Sequence, residues 1–332
     1  MKYFLTGGGG FLGLAMVRGL RKAGHEVVTY SRGDYPELSE LGCTHIRGDL
    51  QDLDALTEAS KGCDGVFHVA AKAGIWGRFG DFYAANVVGT QNVLLACFRN
   101  GIEKLVYTST PSVVHDGEGS EGKDESLPYP KSFLAHYPAT KALAEQEVLA
   151  ADGDKLATVA LRPHLIWGPR DHHFLPRLVS KAKAGKLRIL GDEPNKVDSI
   201  YIDSAARAHL LAMEHLAPGS QVSGKAYFIS QNEPIPVAEL INKILHAAGV
   251  EPVTRSLSPK IAYAAGALCE ALYGAFGLKA EPPITRFVAK QLSTPHWYNV
   301  DAARKDFGFS PEISIDEGME KLAAWIREEP RS

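Results

Sequence analysis

Short apolar runs alternate with longer amphipathic segments through the first half of the chain. The runs are four to six residues long and mostly apolar, which is typical of strands buried on both sides of a sheet. Between them, apolar residues recur every three or four positions, as in a helix with one buried face. This order predicts an α/β fold with a doubly wound parallel sheet, the Rossmann architecture. The predicted strands cover residues 3–6, 26–30, 44–47, 65–70, 105–109 and 157–162, and the predicted helices cover residues 12–23, 53–60, 86–99 and 138–150.

The alternation ends midway along the chain. Proline and glycine then become more frequent, and a strand predicted at residues 226–230 precedes helical stretches at 237–248 and 261–278. We interpret residues 1–165 as the Rossmann domain. Residues 166–332 are interpreted as a smaller C-terminal substrate-binding region, interleaved with the last strands of the sheet.

Composition excludes several classes of function. The 332 residues contain 36 Lys and Arg against 39 Asp and Glu, without a dense basic block, so the charge pattern of a nucleic-acid-binding protein is absent. Four cysteines without C-x-x-C spacing predict reduced thiols and a cytoplasmic location, and the N-terminal residues do not resemble a cleavable leader. His172 and His173 have no third ligand at suitable spacing, so we predict no metal site.

Four consecutive glycines follow the first predicted strand, in the sequence TGGGGFLG. They fit G-x-G-x-x-G on Gly8, Gly10 and Gly13. They also fit T-G-x-x-G-x-x-G, which begins at Thr6 and uses Gly7 with the same two later glycines. Either pattern, between a strand and a helix, predicts that a dinucleotide pyrophosphate binds at the helix N-terminus.

The second predicted strand ends in the sequence VVTYSRGD, which bears on the choice of nicotinamide cofactor. A site that selects NAD places Asp or Glu about 20 residues beyond the glycines, to bind the ribose 2′-hydroxyl, whereas an NADP site needs a cation there. Ser31 and Arg32 occupy this position, and a guanidinium group suits a phosphate. We therefore predict NADP(H) and an NADP-binding first domain, with an ordinary solvated arginine as the alternative.

The sequence YPATK places Tyr137 and Lys141 four residues apart, on one face of a predicted helix. Upstream, Ser109 and Thr110 end the fifth predicted strand, where parallel sheets bind their ligands. In this interpretation Tyr137 gives or takes the proton of a carbonyl oxygen while hydride moves between the nicotinamide and the carbonyl carbon. Lys141 is expected to lower the pKa of Tyr137 and to hold the nicotinamide ribose. A surface Tyr–Lys contact is the alternative.

Over nearly its whole length the chain resembles the extended short-chain dehydrogenase/reductases. The resemblance rests on TGGGGFLG, GDL, VFHVAA, NVVGTQNVL, YTST, YPATK, LRPHLIWGP and DSIYIDSAARAH, in this order. It implies that the pyrophosphate turn uses Gly7, Gly10 and Gly13. The further cofactor contacts that it implies are Phe11, Leu12, Asp49, Leu50, Ala70, Ala71, Tyr137, Lys141 and Pro163.

The same resemblance implies a catalytic set of Thr110, Tyr137 and Lys141. The family's usual catalytic serine aligns here with Thr110, whose hydroxyl is able to do the same work. Ser109 and Ser112 are the alternatives for this hydroxyl.

Within the superfamily the chain resembles the 3β-hydroxysteroid dehydrogenase branch, in segments such as AAKAGIWGRFGDFYAANVVGTQNV and STPHWYNVDAARKDFGF. This resemblance implies NADPH-dependent reduction of the 3-keto group of 2-alkyl-3-oxoalkanoic acids, as in long-chain olefin biosynthesis. The alternatives are a sterol-4α-carboxylate or other 3β-hydroxysteroid dehydrogenase and, in another class, a non-catalytic NADPH-sensing module. We expect a lipid-like β-keto or β-hydroxy acid as partner and a homo-oligomer, with a multi-enzyme assembly left open.

Two further segments are candidates for contacts with substrate or lipid. The loop at residues 75–82 mixes aromatic side chains with Arg78, which is a candidate for binding a carboxylate, although an exposed loop arginine is the alternative. Residues 261–278 carry Glu270 as their only charge and are bracketed by Lys260 and Lys279. We predict an amphipathic helix that lies against a lipid surface, a partner or the substrate. A helix that packs on the sheet is the alternative. The other pocket candidates are Trp76, Phe79, His296 and Trp297.

Overall fold

The strands in the described part of the chain form one large sheet and three small ones. The computed structural model describes residues 1–172, 174–191 and 195–328. In chain order the strands in these ranges are β1 (Lys2–Thr6), β2 (Glu26–Ser31), β3 (Thr44–Arg47), β4 (Gly65–His68), β5 (Lys104–Thr108), β6 (Ser120–Lys123), β7 (Ala157–Pro163), β8 (Ile166–Trp167), β9 (Ile189–Leu190), β10 (Lys196–Val197), β11 (Ile200–Tyr201), β12 (Lys225–Ile229), β13 (Ile235–Pro236), β14 (Ser256–Leu257) and β15 (His296–Tyr298).

The large sheet has seven strands in the order β12-β7-β5-β4-β1-β2-β3, and all of its neighbours are parallel. The predicted parallel α/β sheet is therefore confirmed. Its strand order reverses between β1 and β4, which is where Rossmann folds bind dinucleotides.

Helices cover both faces of this sheet. A π-helical turn at Ala84–Val88 precedes the fifth helix, so the helix predicted at residues 86–99 begins later than expected. In chain order the α-helices in the described ranges are α1 (Phe11–Lys22), α2 (Pro36–Glu40), α3 (Leu53–Ala59), α4 (Phe79–Tyr83), α5 (Gly89–Asn100), α6 (His136–Ala150), α7 (Phe174–Lys183), α8 (Ile202–His215), α9 (Val237–Ala247), α10 (Pro259–Ala275), α11 (Arg286–Ser293), α12 (Asp301–Phe307) and α13 (Ile315–Glu328).

The core lies on both sides of the large sheet, because successive strand residues point to opposite faces. Leu5 and Phe67 are buried on the side of α1 and α8. Phe4 and Val66 are buried on the side of α3 and α5.

Residues beyond 165 return to the Rossmann sheet. Strand β12 extends it alongside β7, and α8 packs so closely on α1 that a Cβ atom at Gly19 would lie 3.0 Å from Leu210. The first and last parts of the chain are thus interleaved, while the boundary at residue 165 stays a prediction.

Candidate active site

A cleft of about 1070 Å³ lies at the carboxyl ends of β1, β2, β4, β5 and β7. A larger hollow of about 1450 Å³, between α9 and α13, is lined by none of the residues that sequence reasoning selected. The cleft is lined by most of them: Gly7, Gly10, Phe11, Leu12, Gly13, Ser31, Arg32, Asp49, Leu50, Ala70, Ala71, Thr110, Tyr137 and Pro163.

The glycine turn packs tightly against the rest of the protein only because side chains are absent. Gly7 has a φ of +75°, and a Cβ atom there would lie 2.9 Å from the Ala70 backbone. A Cβ atom at Gly13 would lie 2.2 Å from the Gly7 carbonyl oxygen. Gly10 is the N-cap of α1, and no side chain caps that helix, so its first N–H groups face the turn as an anion site requires. This geometry favours the pattern on Gly7, Gly10 and Gly13.

The end of β2 brings a hydroxyl and a cation to the cleft. Ser31 lines the cleft, and its buried hydroxyl oxygen has no hydrogen-bond partner among the residues described. Arg32 is exposed at the cleft and forms no ion pair with any described residue. The nearest acid in sequence, Asp34, lies 3.3 Å from Arg47 instead, and it does not line the cleft.

Polar contacts hold the wall that follows β4. The Ala70 N–H donates to Thr6 Oγ1 at 3.2 Å, and Asn86 bonds to both the N–H and the carbonyl of Lys72 at 2.7 and 3.1 Å. Asn86 belongs to the π-helical turn, a feature that often marks functional sites. Beneath the wall, burial lowers the pKa of His68 to about 3, so its ring is neutral between Thr6 and Thr90.

Tyr137 and Thr110 meet in the cleft. Tyr137 lies in the first turn of α6 and Thr110 lies two residues beyond the end of β5, so two different elements place the two hydroxyls. Burial raises the pKa of Tyr137 to about 12, and its hydrogen bond with Thr110 acts in the opposite direction. The phenol therefore stays protonated at neutral pH.

Lys141 lies one turn further along α6 and is 2% exposed. Its Nζ donates to the Thr108 carbonyl at 2.6 Å and lies 3.9 Å above the Tyr107 ring. Burial lowers the pKa of Lys141 to about 7, against an opposing effect of Glu145. The expectation that Lys141 lowers the pKa of Tyr137 is wrong for this structure, because burial of the phenol prevails and the lysine points to Thr108.

The two alternative hydroxyls differ in their surroundings. Ser109 also lines the cleft, but its buried hydroxyl has no partner among the described residues. Ser112 contacts Thr110 instead, with 3.3 Å between the hydroxyl oxygens, and does not line the cleft. Among these three side chains, Thr110 is the one that lowers the pKa of Tyr137, and it also lines the cleft, so it is the best-placed hydroxyl.

Several other candidates lie away from the cleft. Arg78 and His172 are exposed, neither lines the cleft, and His173 lies outside the described residues. His296 is buried with its ring 5.0 Å from that of His164, and Trp297 packs on Gly122. Within the described ranges, no His, Cys, Asp or Glu cluster is arranged to hold a metal ion.

Sequence reasoning missed some residues of the cleft. Tyr35 lines it beside Arg32, and its ring would lie 2.1 Å from a Cβ atom at Gly9. Lys72 also lines the cleft, and its Nζ lies 5.2 Å from the centre of the Phe82 ring. It brings to the cleft the positive charge that was expected from Arg78. No periodicity or motif singles out either residue, because both reach the cleft from irregular loops.

Comparison with known proteins identifies the family. Residues 4–258 match the 3-beta hydroxysteroid dehydrogenase/isomerase family. The chain belongs to this family. It is therefore an oxidoreductase that acts on CH–OH or C=O groups with a nicotinamide dinucleotide.

The relatives of this chain differ in their sequence identity to it. The chain is 54% identical to 2-alkyl-3-oxoalkanoate reductase of Stenotrophomonas maltophilia over 328 residues, 98% of this chain and 99% of the relative. It is 33% identical to the decarboxylating sterol-4-alpha-carboxylate 3-dehydrogenase of Mus musculus, over 96% of this chain and 89% of the relative. The solved structure of MoeE5 with UDP-glucose and NAD superposes with a TM-score of 0.74 and 27% identity, covering 98% of this chain and 99% of the other.

Proposed function

We propose that this protein uses NADPH to reduce the 3-keto group of 2-alkyl-3-oxoalkanoic acids to the 3-hydroxy acids, a step of long-chain olefin biosynthesis. The observation that carries the proposal is that Tyr137, whose pKa burial raises to about 12, lines the same cleft as Thr110 and the glycine turn. The 54% identity to a reductase of this substrate class favours it over the sterol acid, whose dehydrogenase is 33% identical.

The cofactor contacts follow from the shape of the cleft. In the proposal, Gly7, Gly10 and Gly13 hold the pyrophosphate at the N-terminus of α1. Ser31 and Arg32 hold the 2′-phosphate, because one offers an unpartnered hydroxyl and the other an unpaired guanidinium group within the described residues. When bound, NADPH supplies the hydride.

Four side chains then act on the substrate and its surroundings. Tyr137 is protonated at neutral pH, which is the form that donates a proton to a carbonyl oxygen as that oxygen gains negative charge. Thr110 orients the phenol and offers a second hydrogen bond to the same oxygen. In the proposal, Lys141, whose Nζ donates to the Thr108 carbonyl, holds the nicotinamide ribose. Lys72, a cation that lines the cleft, binds the substrate carboxylate in this proposal.

The substitution Arg32→Ala tests the cofactor assignment. We expect kcat/KM with NADPH to fall by the equivalent of about 1.5–3 kcal/mol, the range for a charge-assisted hydrogen bond, and kcat/KM with NADH to change little. Arg78→Ala is the control, because this exposed arginine lies outside the cleft and its loss should affect neither cofactor. Equal losses with both cofactors after Arg32→Ala would show that Arg32 does not read the 2′-phosphate.

The substrate is tested in the oxidative direction, since free β-keto acids decarboxylate readily. NADPH formation is measured with synthetic 2-alkyl-3-hydroxy acids of graded chain length and with a 4-carboxysterol. Each methylene buried in the site is expected to raise kcat/KM by up to about fourfold, until the available space is filled. The proposal fails if the two-chain hydroxy acids are inert and the sterol acid is oxidised, which would instead support the sterol dehydrogenase.

A non-catalytic NADPH-sensing module is disfavoured by one observation. Such a module needs the glycine turn but no proton donor, whereas Tyr137 and Thr110, both half-buried, also line the cleft of this protein. Hydroxyl groups that are partly withdrawn from water cost free energy unless they are used or paired, so a purely binding role leaves this pair unexplained.

The proposal extends to the setting of the enzyme. The chain contains four free cysteines, which supports the cytoplasm as its location. We also propose that the protein acts as a homo-oligomer and takes a lipid-like acid as its small-molecule substrate. The homo-oligomer could in turn belong to a multi-enzyme assembly. Light scattering of the purified protein measures the oligomeric state directly.

A further inference from the structure

Helix α10 turns an apolar face to solvent. Every exposed position from residue 261 to residue 278 is Ile, Ala, Leu, Gly or Phe. Ile261, Leu268 and Phe276 are 60%, 62% and 74% exposed, far more than expected for large apolar side chains that fold into a core. Positions 261, 264, 268, 272 and 275 are three or four residues apart, so they form one continuous stripe along the helix.

The opposite face of α10 packs against α11 rather than against the large sheet. Ala262 and Gly266 are buried, and a Cβ atom at Gly266 would lie 2.7 Å from the Arg286 backbone nitrogen. Glu270 bonds to the N–H and the guanidinium group of Arg286 at 2.7 and 2.6 Å. The apolar stripe is therefore held outward by contacts on the other side of the helix, and none of its residues lines the cleft.

Lysines flank the stripe in sequence. Lys260 and Lys279 are exposed at its two ends, and neither pairs with a carboxylate in the described ranges. Within those ranges, Glu270 pairs with Arg286 and Glu281 pairs with Arg177. An apolar stripe between two free lysines is complementary to a negatively charged lipid surface.

The stripe is connected to the mouth of the cleft. The Trp76 indole N–H donates to the Leu278 carbonyl at 3.0 Å, and the Trp76 ring lies edge-on to Tyr273 at 6.1 Å. Shortly after Trp76 comes α4, which exposes 44% of Phe79 and lines the cleft with Gly80 and other residues. A surface that touches α10 thus lies beside the entrance for substrate.

We propose that the exposed face of α10 binds an anionic lipid surface, from which the two-chain acid enters the cleft. Helix α10 lies in the plane of that surface, since no helix in the described part of the chain is long and apolar enough to cross a bilayer. The identity of the entering acid rests on the proposed function, whereas binding of the face to lipid does not.

A lipid surface suits this face better than a protein partner does. Protein interfaces contain about one hydrogen bond per 100–200 Å², and the exposed side chains of residues 261–278 provide no donor or acceptor. Lipid binding needs only apolar burial and cations at the edge, and both are present here.

The test is sedimentation of the full chain, with NADPH and without substrate, together with lipid vesicles. We expect the protein to bind vesicles of phosphatidylcholine and phosphatidylglycerol more tightly than vesicles of phosphatidylcholine alone, and added salt to reduce the difference. Lys260→Gln and Lys279→Gln are each expected to weaken binding to the anionic vesicles about fivefold. The double variant Leu268→Ser/Phe276→Ser is expected to bind the anionic vesicles at least tenfold more weakly than the wild type.

The matched control is Leu95→Ser/Phe98→Ser on α5, because both of these side chains are 46% exposed and lie on another helix. This variant should bind vesicles as the wild type does. The proposal is overturned if the wild type binds neither kind of vesicle, or if the control loses as much binding as the α10 variant. Should Leu268→Ser/Phe276→Ser change the oligomeric state instead, the face belongs to a second copy of the chain. Because no substrate is present, failure of this test leaves the proposed reaction untouched.

Discussion

Replacement of Tyr137 by phenylalanine is expected to lower kcat by roughly 10²–10⁴, the usual contribution of a positioned proton donor. Burial raises the pKa of the phenol to about 12, so it is protonated at neutral pH, and Thr110 lines the same cleft. Phenylalanine keeps the ring and its packing and removes only the donated proton. The dissociation constant of NADPH should therefore stay close to that of the wild type, which titration of cofactor fluorescence measures.

Two variants of neighbouring hydroxyls separate this role from general disturbance of the cleft. Thr110→Val should lower kcat clearly, though less than Tyr137→Phe, because the phenol loses its partner but keeps its proton. Ser112→Ala should be mild, since Ser112 does not line the cleft. A neutral Thr110→Val together with a severe Ser109→Ala or Ser112→Ala would place the hydroxyl elsewhere.

Glu145→Gln is expected to lower the free energy of unfolding by about 3–5 kcal/mol, the cost of leaving one partner of a buried ion pair uncompensated. Glu145 is fully buried. Arg162 donates two hydrogen bonds to its carboxylate, from Nε to Oε2 at 3.0 Å and from Nη2 to Oε1 at 2.5 Å. Tyr129 donates to the same carboxylate at 2.7 Å. Glutamine keeps the shape but removes the charge, so Arg162 stays buried without a counterion.

Urea unfolding of Glu145→Gln and Asp54→Asn measures this effect against a matched control. Asp54 lies 3.0 Å from Arg99, but its side chain is 93% exposed, so its loss should cost no more than about 1 kcal/mol. Equal losses in the free energy of unfolding for the two variants would mean that the buried ion pair stabilises the fold no more than a surface pair does. A second readout is the pKa of Lys141, which Glu145 raises in the wild type and which should therefore fall in Glu145→Gln.

The periodicity of the sequence predicted the sheet because its strands are buried on both faces. The runs at residues 44–47 and 157–162 correspond closely to β3 and β7, and residues 226–230 correspond to β12. The start of α5 was less predictable, because Asn86 bonds to the backbone of Lys72, fourteen positions away, and the helix widens into a π turn there. A helical period contains no information about such a partner.

The residues of the candidate site were predictable where a motif fixes their spacing. The glycines and Tyr137 are of this kind, and they line one cleft in the structure. The electrostatics were not predictable, because the pKa values of Tyr137 and Lys141 depend on how deeply α6 is buried against β5. Lys72 and Tyr35 were missed for a related reason, since only the folded loops bring them to the cleft wall.

The central claim is hydride transfer between C3 of a two-chain acid and a phosphorylated nicotinamide cofactor. It is tested most directly with a 2-alkyl-3-hydroxyalkanoic acid that carries deuterium at C3, incubated with the enzyme and NADP⁺. Mass spectrometry of the cofactor should show one deuterium in the NADPH formed, with Tyr137→Phe giving far less in the same time. An acid that keeps its deuterium while the cofactor stays oxidised would contradict the proposed reaction.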